Sequence, residues 1–376
     1  MKYDVLVVGG GPAGASASYH LSRKGFKVAL LEKEKLPRFK LCAGCISART
    51  LKLIPEGYEG LILNRIRAGS LGFRGLKEYR VPADREIAYI VDRKDFDYFL
   101  VKRALEAGAE LLQAEFIGFE KEGNTYKVYT SKGYLRGDFL IGADGAHSRI
   151  AGLLGLRPKG FKSLEFFTDG NGEEVLIEIG WVRRGYLWVF PHGDGISVGI
   201  VTTGEEDLLS ILKEYSTLKG IKYTHPKGWH IPFPEGEIFL GRERVLLVGD
   251  SAGMTDPLLG EGIYYALWAG KLLSEALRKS PSEPIRAYRR HLSPLIKELK
   301  RAKGIADIAY KFQPIAYRMG EDYALKNFYR LLLGESSYQE LYWKGWLSFL
   351  KHLTMEGLKA IIKRHEGGGI RGPFSG

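Results

Sequence analysis

The sequence predicts an α/β fold in which a nucleotide-binding parallel sheet is interrupted by an antiparallel sheet and followed by a helical region. Three observations lead to this prediction. A buried strand over residues 3–8 runs into the glycine pattern G-x-G-x-x-G at residues 9–14. A second buried strand, 244–248, is followed by Gly249-Asp250 far downstream. Between them, residues 160–235 alternate polar and apolar side chains, which is typical of antiparallel strands.

The glycine pattern stands where the first strand turns into a helix, predicted over residues 13–23. Gly9 permits the tight turn, Gly11 lets the backbone approach a phosphate, and Gly14 lets the helix pack closely on the strand. The free N–H groups at such a helix start bind a pyrophosphate. Glu32, which ends the next strand, is placed to accept both hydroxyl groups of an adenosine ribose. The sequence therefore predicts a dinucleotide site here.

Composition limits the possible partners and compartments. The 376 residues suggest two or three domains, and 45% hydrophobic residues can form large cores. Two cysteines, no leader before the first strand and no apolar run near the ~18 residues of a membrane span predict a cytoplasmic protein. The net charge of +12 favours an anionic partner, which we expect to be a diphosphate, a phospholipid headgroup or an anionic membrane rather than nucleic acid. Abundant charged residues and few amides suggest a thermophilic source.

A second acidic motif distinguishes FAD from a nicotinamide dinucleotide, because FAD is long enough to reach two distant strand ends. Asp250 is placed to bond the ribityl hydroxyls. Gly260, Gly262 and Ile263 start a helix whose positive end can face the flavin N1–C2=O edge, where reduced flavin carries negative charge. The eight histidines show no metal-binding spacing and no G-x-S-x-G motif is present, so we expect neither metal nor hydrolase chemistry.

These observations divide the chain into four predicted parts. The fold is α/β, with a Rossmann-like FAD-binding domain, an inserted antiparallel substrate sheet and a C-terminal helical region. By residue number, the parts are the discontinuous FAD-binding domain (1–60, 93–155 and 243–284), the substrate sheet (61–92 and 156–242), the helical cap (285–366) and a disordered tail (367–376).

The motifs together resemble the flavoprotein fold of the para-hydroxybenzoate hydroxylase type. Within that group, residues 40–45 (KLCAGC), 186–191 (YLWVFP) and 256–262 (DPLLGEG) are similar to the geranylgeranyl reductases. The resemblance extends from residue 1 to about residue 350. It implies that FAD is contacted by Ala13, Glu32, Ala43, Gly44, Arg93, Phe116, Asp250, Gly262 and Ile263.

For several residues the sequence is consistent with two alternative roles. Arg93 either bridges the pyrophosphate or is a surface arginine opening a helix. Asp144-Gly145 either lies near the dinucleotide, where the resemblance links it with use of the reductant, or is an ordinary turn. Cys42 and Cys45 either form a redox pair or, as the resemblance implies, Cys42 lies against the flavin.

The strand over residues 186–191 places Tyr186, Trp188 and Phe190 on one face. Such a stripe is either core or, as the resemblance implies, the lining of a channel for a polyisoprenoid chain. The helical region either caps that channel and rests on a membrane, or is an ordinary helical domain with buried aromatic residues. Its aromatic residues are Tyr310, Phe312, Tyr317, Tyr323, Phe328, Tyr329, Trp343, Trp346 and Phe349.

The resemblance implies an FAD-dependent reductase that saturates C=C bonds of geranylgeranyl chains, carried on a diphosphate or as digeranylgeranylglycerophospholipid. Hydride would come from reduced flavin, with Cys42 and Tyr186 as candidate acids. NAD(P)H or a ferredoxin-like protein would be the electron donor, and the protein could lie peripherally on the inner face of the membrane. The alternatives are a flavin-dependent aromatic hydroxylase or halogenase, and a non-catalytic prenyl-binding carrier.

Overall fold

The structure is a computed structural model that describes residues 2–320, 325–345 and 348. Its strands are β1 (Lys2–Val8), β2 (Val28–Glu32), β3 (Cys45–Ser47), β4 (Ile62–Ile66), β5 (Ala68–Phe73), β6 (Tyr79–Pro82), β7 (Ala88–Val91), β8 (Glu110–Gln113), β9 (Phe116–Glu122), β10 (Thr125–Thr130), β11 (Gly133–Gly142), β12 (Gly160–Asp169), β13 (Val175–Ile179), β14 (Gly185–His192), β15 (Gly195–Thr202), β16 (Lys227–Pro232), β17 (Gly241–Arg242) and β18 (Val245–Leu247). Its helices are α1 (Pro12–Ser22), α2 (Arg93–Glu106), α3 (Arg149–Leu153), α4 (Leu208–Lys219), α5 (Ile263–Lys279), α6 (Pro284–His291), α7 (Ser293–Lys311), α8 (Gln313–Met319) and α9 (Leu325–Leu332). Residues 338–345 are also helical.

The first sheet has the order β17-β18-β11-β1-β2-β8, and β10 and β9 continue from β11. Strands β18, β11, β1, β2 and β8 run parallel. β2 is buried throughout and β1 largely so, as expected for strands inside a parallel sheet covered by helices. Because parallel strands end at the same edge, Gly9, Glu32, Ala143 and Gly249 meet there, where ligands of such sheets bind.

The second sheet has the order β16-β12-β15-β14-β13-β5-β6. Its neighbouring strands are antiparallel except for the β13–β5 pair. Helix α4 packs against β12 and β15, although the sequence pattern predicted only strands over residues 160–235. The local signals for that helix are Asp207, which caps its first turn, and Gly220, which ends it in the left-handed conformation.

A third, three-stranded sheet joins β3, β7 and β4. Residues 61–92, assigned above to one substrate sheet, are therefore divided between two sheets: β5 and β6 join the second, and β4 and β7 the third. β3 lies directly after the Cys42 loop, and its pairing with β7 ties that loop to the strand that precedes Arg93. The Cys42 loop is therefore held next to β7, close to the start of α2.

The C-terminal helices pack against one face of the second sheet. Tyr310 and Tyr317 share a buried cluster with Tyr186 and Trp188, so the helices cover the aromatic stripe. Within the described part of the chain, no helix combines the length and apolar character needed to cross a membrane. The predicted positions Tyr323, Trp346 and Phe349 and the predicted tail at 367–376 lie outside the described residues.

Candidate functional site

The opening loop is packed so tightly that only glycine fits at two of its positions. Gly9 has φ +107°, and a Cβ there would lie 2.3 Å from the carbonyl oxygen of Ala143. A Cβ at Gly14 would lie 1.9 Å from the carbonyl oxygen of Gly9. At Gly11, by contrast, a Cβ would meet only a guanidinium nitrogen of Arg38, 3.9 Å away. Helix α1 begins without a side-chain cap, so this open loop fits a phosphate group.

The carboxylate of Glu32 is fixed at the end of β2. Its Oε2 accepts hydrogen bonds from the Gly10 amide at 2.9 Å and from Arg38 Nε at 3.3 Å. Its Oε1 accepts from the amide of Glu34 at 3.0 Å. The buried, oriented carboxylate beside the phosphate loop fits the ribose end of a dinucleotide. Ala13, in the first turn of α1, belongs to the same loop.

Arg93 is buried at the start of α2, so it is not the surface arginine of the alternative reading. Its Nε and Nη2 donate to the two carboxylate oxygens of Asp97 at 2.8 and 3.0 Å. Burial disfavours the charged guanidinium, but Asp97 and the neighbouring Cys42 favour it more, and the pKa of Arg93 is raised. Contact of Arg93 with the cofactor stays a prediction.

The loop that contains Cys42 is folded tightly onto β7. Gly44 has φ +71°, and a Cβ there would lie 1.9 Å from the carbonyl oxygen of Val91. The Gly44 amide donates to the Cys42 sulfur at 3.5 Å, and Ala43 is buried against the aromatic cluster. Burial, with smaller contributions from nearby acidic groups, raises the pKa of Cys45 to about 12. Both thiols are free, and a Cys45 that stays protonated disfavours the redox-pair reading.

The carboxylate of Asp144 caps helix α3. It accepts from the Ser148 hydroxyl at 2.5 Å and from the amides of Arg149 and Ile150 at 2.8 and 3.2 Å. Asp144 therefore stabilises the start of α3, which agrees with the interpretation of Asp144-Gly145 as a structural turn. Nearby, the carbonyl oxygen of Phe116, a predicted adenine contact, accepts from Arg149 Nη1 at 2.9 Å.

The second glycine-rich loop, residues 256–262, joins β18 to α5. It follows Asp250, whose Oδ1 accepts from the Thr255 hydroxyl at 3.1 Å. Gly260 has φ +67°, and α5 begins at Ile263, after Gly262, without a side-chain cap. The uncapped helix start and the half-buried Asp250 fit the flavin and ribityl end of FAD.

Three tyrosines from three different elements hold this second loop. Tyr186 on β14 donates to the Leu259 carbonyl at 2.7 Å, and Tyr310 on α7 donates to the Leu258 carbonyl at 2.6 Å. Tyr338, in the helical segment 338–345, donates to the buried carboxylate of Asp256. We call these residues the tyrosine clamp. The sequence offered no signal for it, because Tyr338 is one aromatic residue among many.

Asp256 accepts hydrogen bonds through both oxygens. Its Oδ1 accepts from the amides of Leu258 and Leu259 at 2.7 and 3.1 Å, and its Oδ2 from Tyr338. Burial raises the pKa of Asp256 to about 6 despite these bonds. Burial also strongly raises the pKa of Tyr186, whose hydroxyl is already used in the clamp. The role of Tyr186 as an acid stays a prediction, and its hydroxyl also holds the second loop through the bond to Leu259.

The aromatic stripe lies on the covered face of the second sheet. The indole of Trp188 crosses Gly199, where a Cβ would lie 2.1 Å from the ring, and its Nε1 donates to Ser197 Oγ at 3.0 Å. Ser197 in turn donates to the carboxylate of Glu165 at 2.7 Å. Phe190 follows Trp188, with ring centroids 6.3 Å apart. The sequence pattern did not indicate Glu165, because its place beside this stripe depends on the register of β12, β15 and β14.

A half-buried lysine, Lys40, lies close to Arg93, Cys42 and Asp250. Lys40 Nζ sits 3.3 Å above the centroid of the Trp229 ring. Burial, and then the nearby charge of Arg93, lowers the pKa of Lys40 to about 8. Asp250 and Cys42 act on the same ammonium group, so these residues share one polar region at the sheet edge. The sequence indicated Lys40 only as the first residue of the motif at residues 40–45.

The family model described as "FAD binding domain" matches residues 2–199, slightly more than half of the chain. The fold, the two uncapped helix starts and this match define an FAD-binding oxidoreductase.

Two curated relatives identify the family within that class. The geranylgeranyl diphosphate reductase of Rhodobacter capsulatus is 32% identical over 73% of this chain and 75% of its own. The digeranylgeranylglycerophospholipid reductase of Methanocaldococcus jannaschii is 31% identical over 80% of this chain and 86% of its own. The chain belongs to the geranylgeranyl reductase family.

Solved structures agree on the fold. A geranylgeranyl bacteriochlorophyll reductase-like protein from Thermoplasma acidophilum superposes with a TM-score of 0.74 at 20% identity, covering 97% of this chain and 99% of that one. A flavin-dependent brominase superposes with a TM-score of 0.73 at 17% identity, covering 96% of this chain and all of that one. At these identities, the likeness establishes the shared architecture alone.

Proposed function

We propose that this protein is an FAD-dependent reductase that saturates C=C bonds of geranylgeranyl chains carried on a phospholipid or a diphosphate. The observation that carries the proposal is the aromatic stripe of Tyr186 and Trp188, which are buried, and Phe190, which is half-buried. It faces the same cluster as Ala43 and Leu258, which come from the two loops expected to hold the flavin. A long apolar chain needs such a wall and few polar atoms.

In this proposal, different residues bind the two ends of the cofactor and the substrate. The opening loop and Glu32 hold the nucleotide end, and Asp250 and the start of α5 hold the ribityl and flavin end. Bound FAD, once reduced, supplies a hydride. The aromatic stripe orients the alkene, and the helices that cover it exclude water. An isolated alkene also needs a proton, for which Cys42 beside Arg93 remains a candidate.

The test is anaerobic and uses one turnover. The purified yellow protein is reduced chemically and mixed with a geranylgeranylated phospholipid or geranylgeranyl diphosphate, while flavin absorbance and product mass are followed. Flavin reoxidation with hydrogen added to the chain is the expected result, and its rate ranks the substrates. Flavin that stays reduced until air enters would instead indicate the hydroxylase or halogenase chemistry. A protein that purifies without flavin would favour the carrier.

The proposal includes an external electron donor and a peripheral position on an anionic membrane. NAD(P)H or a ferredoxin-like protein would reduce the flavin. For the membrane, the support is a surface at the tip of the second sheet, where Leu76 and Leu218 are 60% and 59% exposed. Arg74 and Lys77 flank Leu76 in sequence, and α8 reaches the same hairpin through Tyr317, which donates to the Lys77 carbonyl. Cations beside exposed apolar side chains suit an anionic lipid surface.

Vesicle sedimentation tests this surface. The protein should bind vesicles containing anionic phospholipid better than neutral ones, and salt should weaken the binding. The double substitution Leu76→Ser and Leu218→Ser should reduce binding severalfold, because it removes the apolar part of the contact. Leu153→Ser is the matched control, since Leu153 is 56% exposed on the short helix α3. Equal losses in both variants would remove this surface from the proposal.

A further inference from the structure

Glu165 is a buried carboxyl in the wall of the proposed substrate channel. It lies on β12 and is only 4% exposed. In the sheet register it stands opposite Gly199 of β15, which in turn stands opposite Trp188 of β14. Residues that face each other across antiparallel strands point to the same side of the sheet. Glu165 therefore shares the face of the aromatic stripe.

A hydrogen-bonded chain fixes which oxygen of Glu165 can carry a proton. Trp188 Nε1 donates to Ser197 Oγ, and Ser197 donates to Glu165 Oε1. Oε1 is thus engaged as an acceptor. Among the described residues, no group bonds Oε2. When Glu165 is protonated, the proton belongs on Oε2, the oxygen left without a protein partner.

The surroundings keep Glu165 protonated near neutral pH without an ion pair. Its charged neighbours are Lys40, from the loop before Cys42, and Arg93, from the start of α2. Lys227 of β16 is opposite Glu165 in register, and its ammonium lies 4.6 Å from the centroid of the Phe39 ring. Burial outweighs the Ser197 bond and both cations, and raises the pKa of Glu165 to about 7. Within the described part of the chain, Glu165 forms no ion pair.

We propose that Glu165 is the catalytic acid of the alkene reduction, donating the Oε2 proton to one alkene carbon while the other receives the hydride. This inference rests on the proposed function. The π bond breaks, one C–H bond forms from the hydride of the dihydroflavin and the other from the Glu165 proton, and the carboxylate remains. Solvent then returns a proton to the carboxylate, on which the charges of Lys40 and Arg93 both act. Two electrons leave the flavin and two enter the alkene.

The first test compares Glu165→Gln with Glu178→Gln. Glu178 is also buried in the second sheet, but it lies on the opposite face, in register with Leu187, and pairs with Lys219 at 3.2 Å. In anaerobic single turnover, Glu165→Gln should slow flavin reoxidation by roughly 10²–10⁴-fold, the usual range for a lost general acid. FAD content and chemical reduction should be unchanged. Glu178→Gln should retain the wild-type rate per folded molecule. Full activity of Glu165→Gln would overturn the proposal.

The second test uses pH, which a purely structural glutamate would not influence. The wild-type rate should fall about tenfold per pH unit above about pH 7, because only the protonated carboxyl donates. Ser197→Ala removes a hydrogen bond that stabilises the carboxylate, so it should move this fall to higher pH. If Glu165→Gln fails to fold, the pH dependence of Ser197→Ala still tests the proposal. A rate that falls at the same pH in Ser197→Ala as in the wild type would contradict the assignment of Glu165 as the acid.

A third measurement does not depend on turnover. Infrared difference spectra of the purified protein, recorded across pH 5 to 9, should show a carboxyl C=O band that disappears near pH 7 and is missing in Glu165→Gln. Without that band, Glu165 is not an acid at the working pH and the proposal fails. If the band is present but wild-type protein does not reduce the prenyl chain, the proposed function fails and not the titration of Glu165. If the chain is reduced equally by Glu165→Gln, only the assignment of the acid fails.

Discussion

The two glycine-rich loops of the FAD site are built in opposite ways. The opening loop, residues 9–14, is held mainly by main-chain packing, both against its own backbone and against that of Ala143 at the end of β11, and by the side chain of Glu32. Gly9 and Gly14 pack against main-chain atoms, and the side chain that orients the loop, Glu32, bonds an amide only 22 positions away. The second loop, residues 256–262, takes hydrogen bonds from tyrosines 52, 73 and 82 positions away.

This difference separates a generic function from a specific one. Every protein that binds a dinucleotide with this motif needs the first loop, and backbone packing within the parallel sheet makes it rigid. The second loop is hydrogen-bonded to the second sheet through Tyr186 and to the covering helices through Tyr310 and Tyr338. A change in how the helices cover the aromatic stripe can therefore act directly on the second loop.

The largest effect should follow from breaking the first loop with Gly14→Ala. The new Cβ would lie 1.9 Å from the Gly9 carbonyl oxygen, and neither backbone segment can move without disturbing β1. We expect the free energy of unfolding to fall by about 3 kcal/mol, the upper part of the range for overpacking, together with loss of bound FAD. Urea unfolding and the flavin absorbance of the purified protein measure both quantities.

Gly152→Ala is the control for that substitution. A Cβ at Gly152 would meet no atom of the described residues within 4 Å, and Gly152 lies in α3, where alanine is favoured over glycine. This variant should keep its FAD and its stability. If Gly14→Ala behaves like Gly152→Ala, the opening loop is not the close-packed element described here.

The same contrast explains what the sequence could predict. Gly9, Gly14 and Glu32 carry their signal within a short window, so the strand, the turn and the helix were predicted nearly to the residue: the helix expected over 13–23 is Pro12–Ser22. Asp144 was left with two readings because its task, capping α3, depends on amide groups whose helix was too short to recognise.

The tyrosine clamp and Glu165 could not be predicted in this way. A tyrosine on a helix gives no sign of the carbonyl that its hydroxyl will meet, and the partner of Tyr338 is set by how the helices pack. Glu165 needed the register of three strands before its neighbours were known. The division of residues 61–92 between two sheets likewise depends on which strands pair, and not on their alternation.

A smaller effect should follow from loosening the second loop. Tyr338→Phe removes a hydrogen bond to the buried carboxylate of Asp256, and bonds to charged groups contribute about 1.5–3 kcal/mol. Tyr310→Phe removes a bond to a neutral carbonyl, so it should cost about 1 kcal/mol. Urea unfolding measures both losses. Flavin spectra should shift in both variants if the loop contacts the flavin.

Tyr288→Phe is the matched control for the clamp variants. Tyr288 is fully buried and its hydroxyl has no hydrogen-bond partner among the residues that the structure describes, so removing that oxygen breaks no bond there. Its stability should equal or slightly exceed that of the wild type. If Tyr288→Phe lowers the free energy of unfolding as much as Tyr338→Phe does, the hydrogen bonds of the tyrosine clamp do not stabilise the protein beyond the packing of the hydroxyl oxygen.

The smallest effect is the contribution of Asp256, in the second loop, to the pH dependence of stability. The pKa of Asp256 rises from 3.8 to about 6 on folding, because the carboxyl is buried. Between these values the folded protein holds a proton that the unfolded chain has released, so the stabilising contribution is complete below about pH 4 and is lost as pH rises through about 6. The slope cannot exceed about 1.4 kcal/mol per pH unit. Urea unfolding of wild type and Asp256→Asn at pH 4.5 and 5.5 isolates it: the wild type should lose about 1 kcal/mol relative to the variant over this interval. Equal changes in the two proteins would show that Asp256 does not titrate in this range.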